Sequence, residues 1–485
     1  MWWPNSSMKP IAWNQVCDMF APFAGSCLYA IRADAFFHLA QASSAPAKFA
    51  AKNVFYPAVA WTRAARARRE LDSSMGGDSR YLFVCDYAAE PGFGTLRPVL
   101  QKFEEESLFV ALDSVMRAKA TELAYTRAGL INLDAEMFAQ GQGRVRRLWY
   151  RAQKDFRLLV ENCPPEHQRL LDASRNVLQT LLLRAYLNRE VYEQLFAENR
   201  SLEAVITHND FTTSSYLACT VAGEAGIKSF TLQHGFPTQE YFPTSADHYL
   251  VWGERFRAYM ASRPGMQSNL IVAGAPRFDG LARARKSRAA LRLKREENGA
   301  RCAGRCDVVF FSQSHSPLFT EAEHRLVLAA LKPLLEDHRF HVVVRLHPQE
   351  SERRFRQLSG FDRITIAPRD LSLQETLASA DVAISCNSTA MLEAMAIDVP
   401  VVQIAPEEIC DRLGIIEPCG VARNGQELRH CLQTLLAADR SRAFADKQNQ
   451  LLQEYLSYFP NGGEAVCGAI EDELALSLDV VEAKA

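Results

Sequence analysis

His341-Val342-Val343-Val344-Arg345-Leu346-His347-Pro348 is the stretch whose reading decides the fold. A short apolar run that turns polar reads as a buried strand ending at a crevice, because ligands of open α/β sheets sit outside the carboxyl ends of the strands. Stretches of the same build lie upstream. Ser229-Phe230-Thr231-Leu232 leads into Gln233-His234-Gly235, and Ala204-Val205-Ile206-Thr207 leads into His208-Asn209-Asp210. Two such sites on successive α/β units predict an α/β protein of two doubly wound, Rossmann-like domains with a central cleft.

Working outward, strand-like runs recur at 80–86, 108–112, 249–253 and 270–274 on one side, and at 307–311, 363–366, 382–385 and 400–404 on the other. The run at 80–86 is followed by Glu90-Pro91-Gly92-Phe93-Gly94-Thr95-Leu96-Arg97-Pro98, read as a glycine loop opening a βαβ unit. Residues 113–200 read as helices without a strand, broken at Pro164-Pro165, and so as a helical insertion. Residues 280–306 are basic and lack apolar periodicity, as a linker with a charged helix would. The expected organisation is a helical N-terminal extension over 1–75, a Rossmann-like domain over 76–280 with its insertion near 113–200, a linker over 281–306, a second Rossmann-like domain over 307–460, and a closing helix and tail over 461–485.

With 485 residues the chain exceeds one ordinary core. A hydrophobic fraction of 48% and a charged fraction of 23% are those of a globular protein. The net charge of −2 gives no electrostatic reason to expect nucleic acid as a partner. Twelve scattered cysteines suit a reducing cytosol better than a disulfide scaffold. Cys302 and Cys306 form the only close pair and lack a second ligand pair nearby, so no metal is expected. The charge-free stretch 19–31 lies between Asp18 and Arg32 and is too short to span a bilayer. No basic residue precedes Lys9, which argues against a signal peptide. The expected location is the cytoplasm. Arg63, Arg66, Arg68 and Arg69, beside Phe55, Tyr56 and Trp61, suit peripheral contact with an anionic inner-membrane surface. They suit a solvated helix face packed by its alanines better still.

Several residues carry chemistry. Ser385-Cys386-Asn387-Ser388-Thr389 joins a strand to a helix, and hydroxyls with free N–H groups there suit a phosphate. Ser and Thr are also ordinary N-caps. Glu393, four residues after Thr389, shares its helix face and suits ribose hydroxyls, or is a surface carboxylate. Pro348 holds His347 extended, from where a ring N–H reaches a phosphate oxygen. Alternation puts Arg345 on the same side, toward the ligand or into a salt bridge. Ser312-Gln313-Ser314 follows the strand at 307–311 as a polar loop suited to a base, phosphate or sugar. In the first half stand Gln233, Gly235, which permits close backbone approach, and the loop residues Gly92, Gly94 and Thr95. His234, Asp210, Asp86 and Glu90 are four unranked candidates for a general base.

In order and spacing, Thr207-His208-Asn209-Asp210, Leu232-Gln233-His234-Gly235-Phe236-Pro237, Tyr249-Leu250-Val251-Trp252-Gly253, Val272-Ala273-Gly274-Ala275-Pro276-Arg277-Phe278-Asp279, Arg345-Leu346-His347-Pro348 and Ser385-x-x-Ser388-Thr389-x-x-x-Glu393 resemble GT-B glycosyltransferases of bacterial surface and capsular polysaccharide biosynthesis. The likeness is to capsule-type Kdo transferases, bacterial polysialyltransferases and, more distantly, CDP-glycerol glycerophosphotransferases, and covers about residues 200–470. It implies a GT-B-like fold, and a nucleotide-sugar donor bound in the C-terminal half, with His347, Ser388 and Thr389 on its phosphate and Glu393 on its ribose. It further implies a saccharide or glycolipid acceptor in the N-terminal half, and no cofactor beyond the donor. CMP-linked acid sugars such as CMP-Kdo or CMP-sialic acid are the donors it suggests, and inverting, metal-independent transfer the chemistry. The acidic-acidic-glycine catalytic motif of the sialyltransferase groups is missing. Two rival readings share the architecture: a nucleotide-sugar 2-epimerase, and a non-catalytic polysaccharide-assembly protein.

Overall fold

The computed structural model describes residues 11–44, 79–85, 90–122, 129–139, 142–288, 305–313, 319–347, 350–358, 360–386, 388–406, 420–436 and 438–482. The chain forms two compact units. The N-terminal unit comprises Met1–Val251, Arg257–Val272 and Gly463–Ala485, and the C-terminal unit comprises Trp252–Phe256 and Ala273–Gly462.

The N-terminal unit is built on seven strands: β1 (Tyr81–Cys85), β2 (Ser107–Ala111), β3 (Gly129–Asn132), β4 (Ala204–Thr207), β5 (Lys228–Leu232), β6 (His248–Val251) and β7 (Asn269–Val272). They are ordered β3-β2-β1-β4-β5-β6-β7, and every pair is parallel. The C-terminal unit has six: β8 (Cys306–Phe311), β9 (Phe340–Arg345), β10 (Ile364–Ile366), β11 (Val382–Ser385), β12 (Val401–Ile404) and β13 (Gly420–Ala422). Their order is β10-β9-β8-β11-β12-β13, again parallel throughout. Strands of a parallel sheet are covered on both faces, so they are near-continuous apolar runs. β1, β4 and β11 are buried at every position. Between the strands of the C-terminal unit, Val327, Leu328, Leu331, Leu334 and Leu335 of helix Glu321–Glu336 close the core with Phe340, Val342, Val344 and Ile384.

The two sheets share one topology. The chain runs outward from β1 through β2 to β3, then returns to the other side of β1 at β4. It does the same from β8 through β9 to β10, then back to β11. Each sheet therefore has a switch point, between β1 and β4 and between β8 and β11, where diverging connections leave a crevice at the carboxyl edge.

Three local expectations are corrected. Residues 113–200 contain strand β3, on the edge of the sheet and only half-buried at Gly129 and Leu130, so no apolar run betrays it. The glycine loop at 90–98 is instead the start of helix Glu90–Phe103. Pro91 sits in the first turn, where its missing N–H costs little. Phe93, Leu96, Val99, Leu100 and Phe103 bury one helical face against the sheet, which outweighs the low propensity of Gly92, Gly94 and Pro98. Finally, residues 281–288 of the basic stretch read as a linker are helical. Arg288 is buried and donates to the carbonyls of Asp398 and Ala380, within the C-terminal unit.

Helices Trp13–Phe20, Cys27–Ala30 and Arg32–Ser44 belong to the N-terminal unit, as does the terminal helix Gly462–Glu482 from Gly463 onward. Gly274 shows why one of the quoted motifs needs a glycine. Its φ is +83°, and a Cβ there would meet Ser457 O at 2.7 Å. Among the described residues, no helix is long and apolar enough to cross a membrane. The arginine-rich stretch at 63–69 lies outside the described residues.

Candidate functional site

The N-terminal switch point is built from the residues that follow β4. Register pairs Val84 with Thr207, so His208, Asn209 and Asp210 leave the sheet beside the end of β1. All three are buried. Asn209 donates from Nδ2 to His208 Nε2 at 3.1 Å, and its Oδ1 accepts from Thr212 N at 3.2 Å and Thr212 Oγ1 at 2.8 Å. The Asn209 side chain thus braces the residue that precedes helix Thr213–Glu224. Asp210 Oδ2 accepts from Ser245 N at 2.5 Å and Ala246 N at 3.1 Å. Burial pushes this carboxyl above the ordinary range, while the two N–H groups and the Arg32 guanidinium pull it back. Asp210 thus clamps the loop that precedes β6.

His234 follows β5, the next strand over, and is half-buried. Its Nδ1 donates to His208 O at 2.6 Å, which fixes the tautomer and leaves Nε2 as the basic nitrogen. Tyr241 stacks on the ring, with centroids 5.5 Å apart and planes at 11°, and its hydroxyl lies 3.2 Å from Nε2. The His208 ring meets His234 edge-on at 5.3 Å. A Cβ at Gly235 would stand 3.2 Å from the Tyr241 hydroxyl, so a side chain there would press on that ring by a few tenths of an ångström. Gln233 is buried and donates from Nε2 to Gly235 O at 2.9 Å, bracing the same turn. Of the four base candidates, His234 has Nε2 within 3.2 Å of the Tyr241 hydroxyl, and Asp210 Oδ2 is committed to backbone. Asp86 lies outside the described residues, and Glu90 stands at the start of its helix. Gly92, Gly94 and Thr95 are inside that helix, Thr95 fully buried.

In the C-terminal unit, Arg345, Phe311 and Ser385 are in register across β9, β8 and β11. The residues after them therefore collect at one carboxyl edge: His347 beyond β9, Ser312 and Gln313 beyond β8, Ser388 and Thr389 beyond β11. Ser312 is buried with no hydrogen-bond partner for its hydroxyl, next to the switch between β8 and β11. Buried hydroxyls are seldom left so, and a ligand oxygen there would satisfy it. Ser388 and Thr389 are half-buried. Ser388 Oγ accepts from Ala390 N at 3.2 Å, and Thr389 makes no side-chain cap on helix Ala390–Ala396. Ser385 turns inward and donates to Phe311 O at 3.0 Å, a strand-to-strand tie. Arg345 donates to Pro368 O at 3.1 Å. Asn387 and Ser314 lie outside the described residues.

Glu393 is neither on the surface nor free. Arg277 donates from Nη2 to its Oε1 at 2.7 Å, and both side chains are mostly buried. Burial raises the Glu393 carboxyl above its ordinary range and Arg277 opposes this. The Arg277 guanidinium packs over Phe278 at 4.7 Å. His347 is half-buried, and burial lowers its imidazole below the ordinary value while Glu350 opposes. Glu350 N donates to His347 O at 2.9 Å, and its buried Oε1 lies 3.2 Å from His324 Nε2. Beside this turn, a cavity of about 660 Å³ is floored by Phe355, Phe361, Ile364 and Ile366 and edged by Arg353 and Arg369. That is the volume of a small-molecule site. Among the described residues, no cluster of three or more His, Cys, Asp or Glu is placed to hold a metal.

Tyr241, Arg277 and Glu350 were not singled out from sequence. Arg277 and Glu350 nonetheless carried a signal: the first lies inside a quoted motif, and the second follows His347 by three residues.

No family model and no curated protein matches the sequence. Solved structures do. The chain is similar to a glycosyltransferase from Rickettsia africae, with a TM-score of 0.52 and 12% identity over 82% of this chain and 98% of that one. It is similar to the UDP-GlcNAc 2-epimerase of Neisseria meningitidis bound to UDP-GlcNAc, with a TM-score of 0.51 and 12% identity over 81% and 100%. Anabaena HepE in complex with UDP gives a TM-score of 0.50 and 13% identity over 82% and 99%. The class these likenesses define is the GT-B type of fold, two Rossmann-like units of parallel sheet.

Proposed function

We propose that the chain is a nucleotide-sugar-dependent, inverting, metal-independent glycosyltransferase that builds a bacterial surface polysaccharide, with a CMP-linked acid sugar as donor. The observation that carries this reading is the buried, unpartnered Ser312 hydroxyl at the switch point of the C-terminal sheet, with Ser388, Thr389 and His347 ending neighbouring elements. These groups suit a donor phosphate, and the cavity that Glu350 lines, three residues after His347, has the volume of a small-molecule site. In the N-terminal unit, His234 Nε2 takes the proton of an acceptor hydroxyl, assisted by a tautomer already fixed at His208 O. The acceptor oxygen attacks the anomeric carbon, and the bond from that carbon to the phosphate oxygen breaks. The nucleotide departs with the electron pair, its charge held by the hydroxyl and imidazole donors.

A second reading, a UDP-GlcNAc-type 2-epimerase, is supported by the likeness to the Neisseria enzyme. Incubation of the protein with CMP-, UDP-, CDP- and GDP-sugars, with and without saccharide or glycolipid acceptors, separates the readings. Nucleotide release that requires an acceptor and survives EDTA supports the transferase. An epimer formed from donor alone supports the second reading and sinks the first. Absence of thermal stabilisation by every nucleotide favours a non-catalytic assembly protein.

A further inference from the structure

The N-terminal helices contain a buried cation with no role in the site described so far. Arg32 is fully buried. Its guanidinium lies 4.3 Å from the Tyr29 ring centroid and 4.8 Å from that of Tyr216, and its Nη2 donates to Pro243 O at 3.1 Å. Its Nε has no hydrogen-bond partner. A buried guanidinium is costly unless anions, ring faces and carbonyl oxygens are arranged around it, and here two rings and a carbonyl are. One residue before Pro243, the carbonyl of Phe242 accepts from Trp13 Nε1 at 3.2 Å. One residue further back is Tyr241, the ring stacked on His234. The same helices also grip the start of helix Thr213–Glu224, where Asp34 accepts from the hydroxyl of Thr213, and from its N–H at 3.2 Å. Just upstream of that helix is Asp210, which clamps the other end of the 242–246 loop through Ser245 and Ala246.

From these contacts we infer that the N-terminal helices are part of the reaction site, with Arg32 and Trp13 as positioning residues that hold Tyr241 against His234. The inference rests on the proposed role of His234 as base. Tyr241 closes a short turn, Gln239–Tyr241, its N–H on Thr238 O at 3.1 Å and its ring 5.0 Å from that of Phe211. The consecutive carbonyls of Phe242 and Pro243 are the handles, and the extension supplies both donors. Tyr241 and His208 are the titratable groups against the His234 ring.

The test uses the full chain carrying Arg32→Gln, Arg32→Lys or Trp13→Phe. Trp13→Phe removes one N–H donor and keeps an aromatic ring, so it stays informative where Arg32→Gln fails to fold. Two quantities are read. The first is the His234 Cε1–H resonance, assigned with His234→Gln, which reports the ring-current effect of Tyr241 without any turnover. The second is kcat against donor KM. The expected result is a His234 resonance displaced in all three variants. A kcat lowered on the order of tenfold in Arg32→Gln is expected with donor KM unchanged, because small misplacement of a reacting group costs rate and not donor binding. Arg32→Lys is expected to recover part of the rate, since it keeps the charge and loses the planar fork. An unmoved resonance with unchanged kcat in folded Trp13→Phe and Arg32→Lys overturns the inference. A moved resonance in a protein that turns over no donor overturns the proposed function and leaves the positioning intact.

Discussion

The two switch points have the same topology and opposite characters. At the N-terminal one, His208, Asn209 and Asp210 are buried, Asn209 is bonded to His208 and Asp210 Oδ2 to backbone, Asp210 Oδ1 has no hydrogen-bond partner, and His234 is held by His208 O and stacked on Tyr241. At the C-terminal one, Ser388, Thr389 and His347 are half-buried, and Ser312 lacks a partner. Groups that are already satisfied fix a geometry; groups that are incompletely satisfied take a ligand. On the proposed function, the first unit orients the acceptor and takes its proton, and the second binds the donor.

His234→Gln is the strongest way to break that division. Loss of a positioned base is expected to lower kcat by about 10²–10⁴-fold, with nucleotide affinity unchanged in calorimetry. Next in size is Glu393→Ala, which strands Arg277 in a site where both side chains are mostly buried. Denaturant unfolding should show a loss of about 3 kcal/mol, as when one partner of a buried pair is removed. Replacing both as Arg277→Met with Glu393→Leu should recover most of it. An equal loss in the double variant would contradict a buried pair.

Smaller effects sharpen the second unit. Ser388→Ala with Thr389→Ala should weaken nucleotide binding by roughly tenfold, the scale of one or two hydrogen bonds to a charged group. His347 gives a pH signature. Burial keeps its imidazole below the ordinary value in the free protein, and a bound phosphate favours the protonated ring. Affinity should therefore rise as pH falls toward the free-protein value, by at most about tenfold per pH unit for one linked proton, and His347→Gln should flatten the profile. The smallest effect expected is that of Asp210→Asn. An amide oxygen still accepts from Ser245 and Ala246, so kcat should stay within about tenfold, far from the loss expected for a missing base. Because burial holds the Asp210 carboxyl above its ordinary value, the unfolded chain ionises first, so stability is lost as pH rises from the ordinary to the raised value and levels off above it. Below the ordinary value there is no penalty. The wild type should thus lose stability relative to Asp210→Asn as pH climbs from acid, and parallel pH–stability curves would show that burial is not the dominant influence on this carboxyl.

Both sheets were legible because parallel strands are buried on both faces and leave apolar runs that end abruptly in polar residues, as at Val344 to His347 and Leu232 to His234. The collection of Ser312, His347 and Ser388 at one edge follows from the same runs plus the strand order. What spacing did not reveal was long-range pairing. Arg277 meets Glu393 116 residues away, and Arg32 reaches Pro243 across 211 residues; neither leaves a local periodicity. The helix at Glu90–Phe103 was hidden by its Gly and Pro content, which tertiary burial of Phe93, Leu96 and Leu100 overrides. Strand β3 was hidden by its shortness and its place at the sheet edge.

The division of labour between the units is tested most directly by calorimetric titration of the same nucleotide into the wild type, His234→Gln, and the Ser388→Ala/Thr389→Ala double variant. The account predicts wild-type affinity for His234→Gln and an affinity weakened by roughly tenfold for the double variant. Equal weakening in both, or weakening confined to His234→Gln, would contradict it.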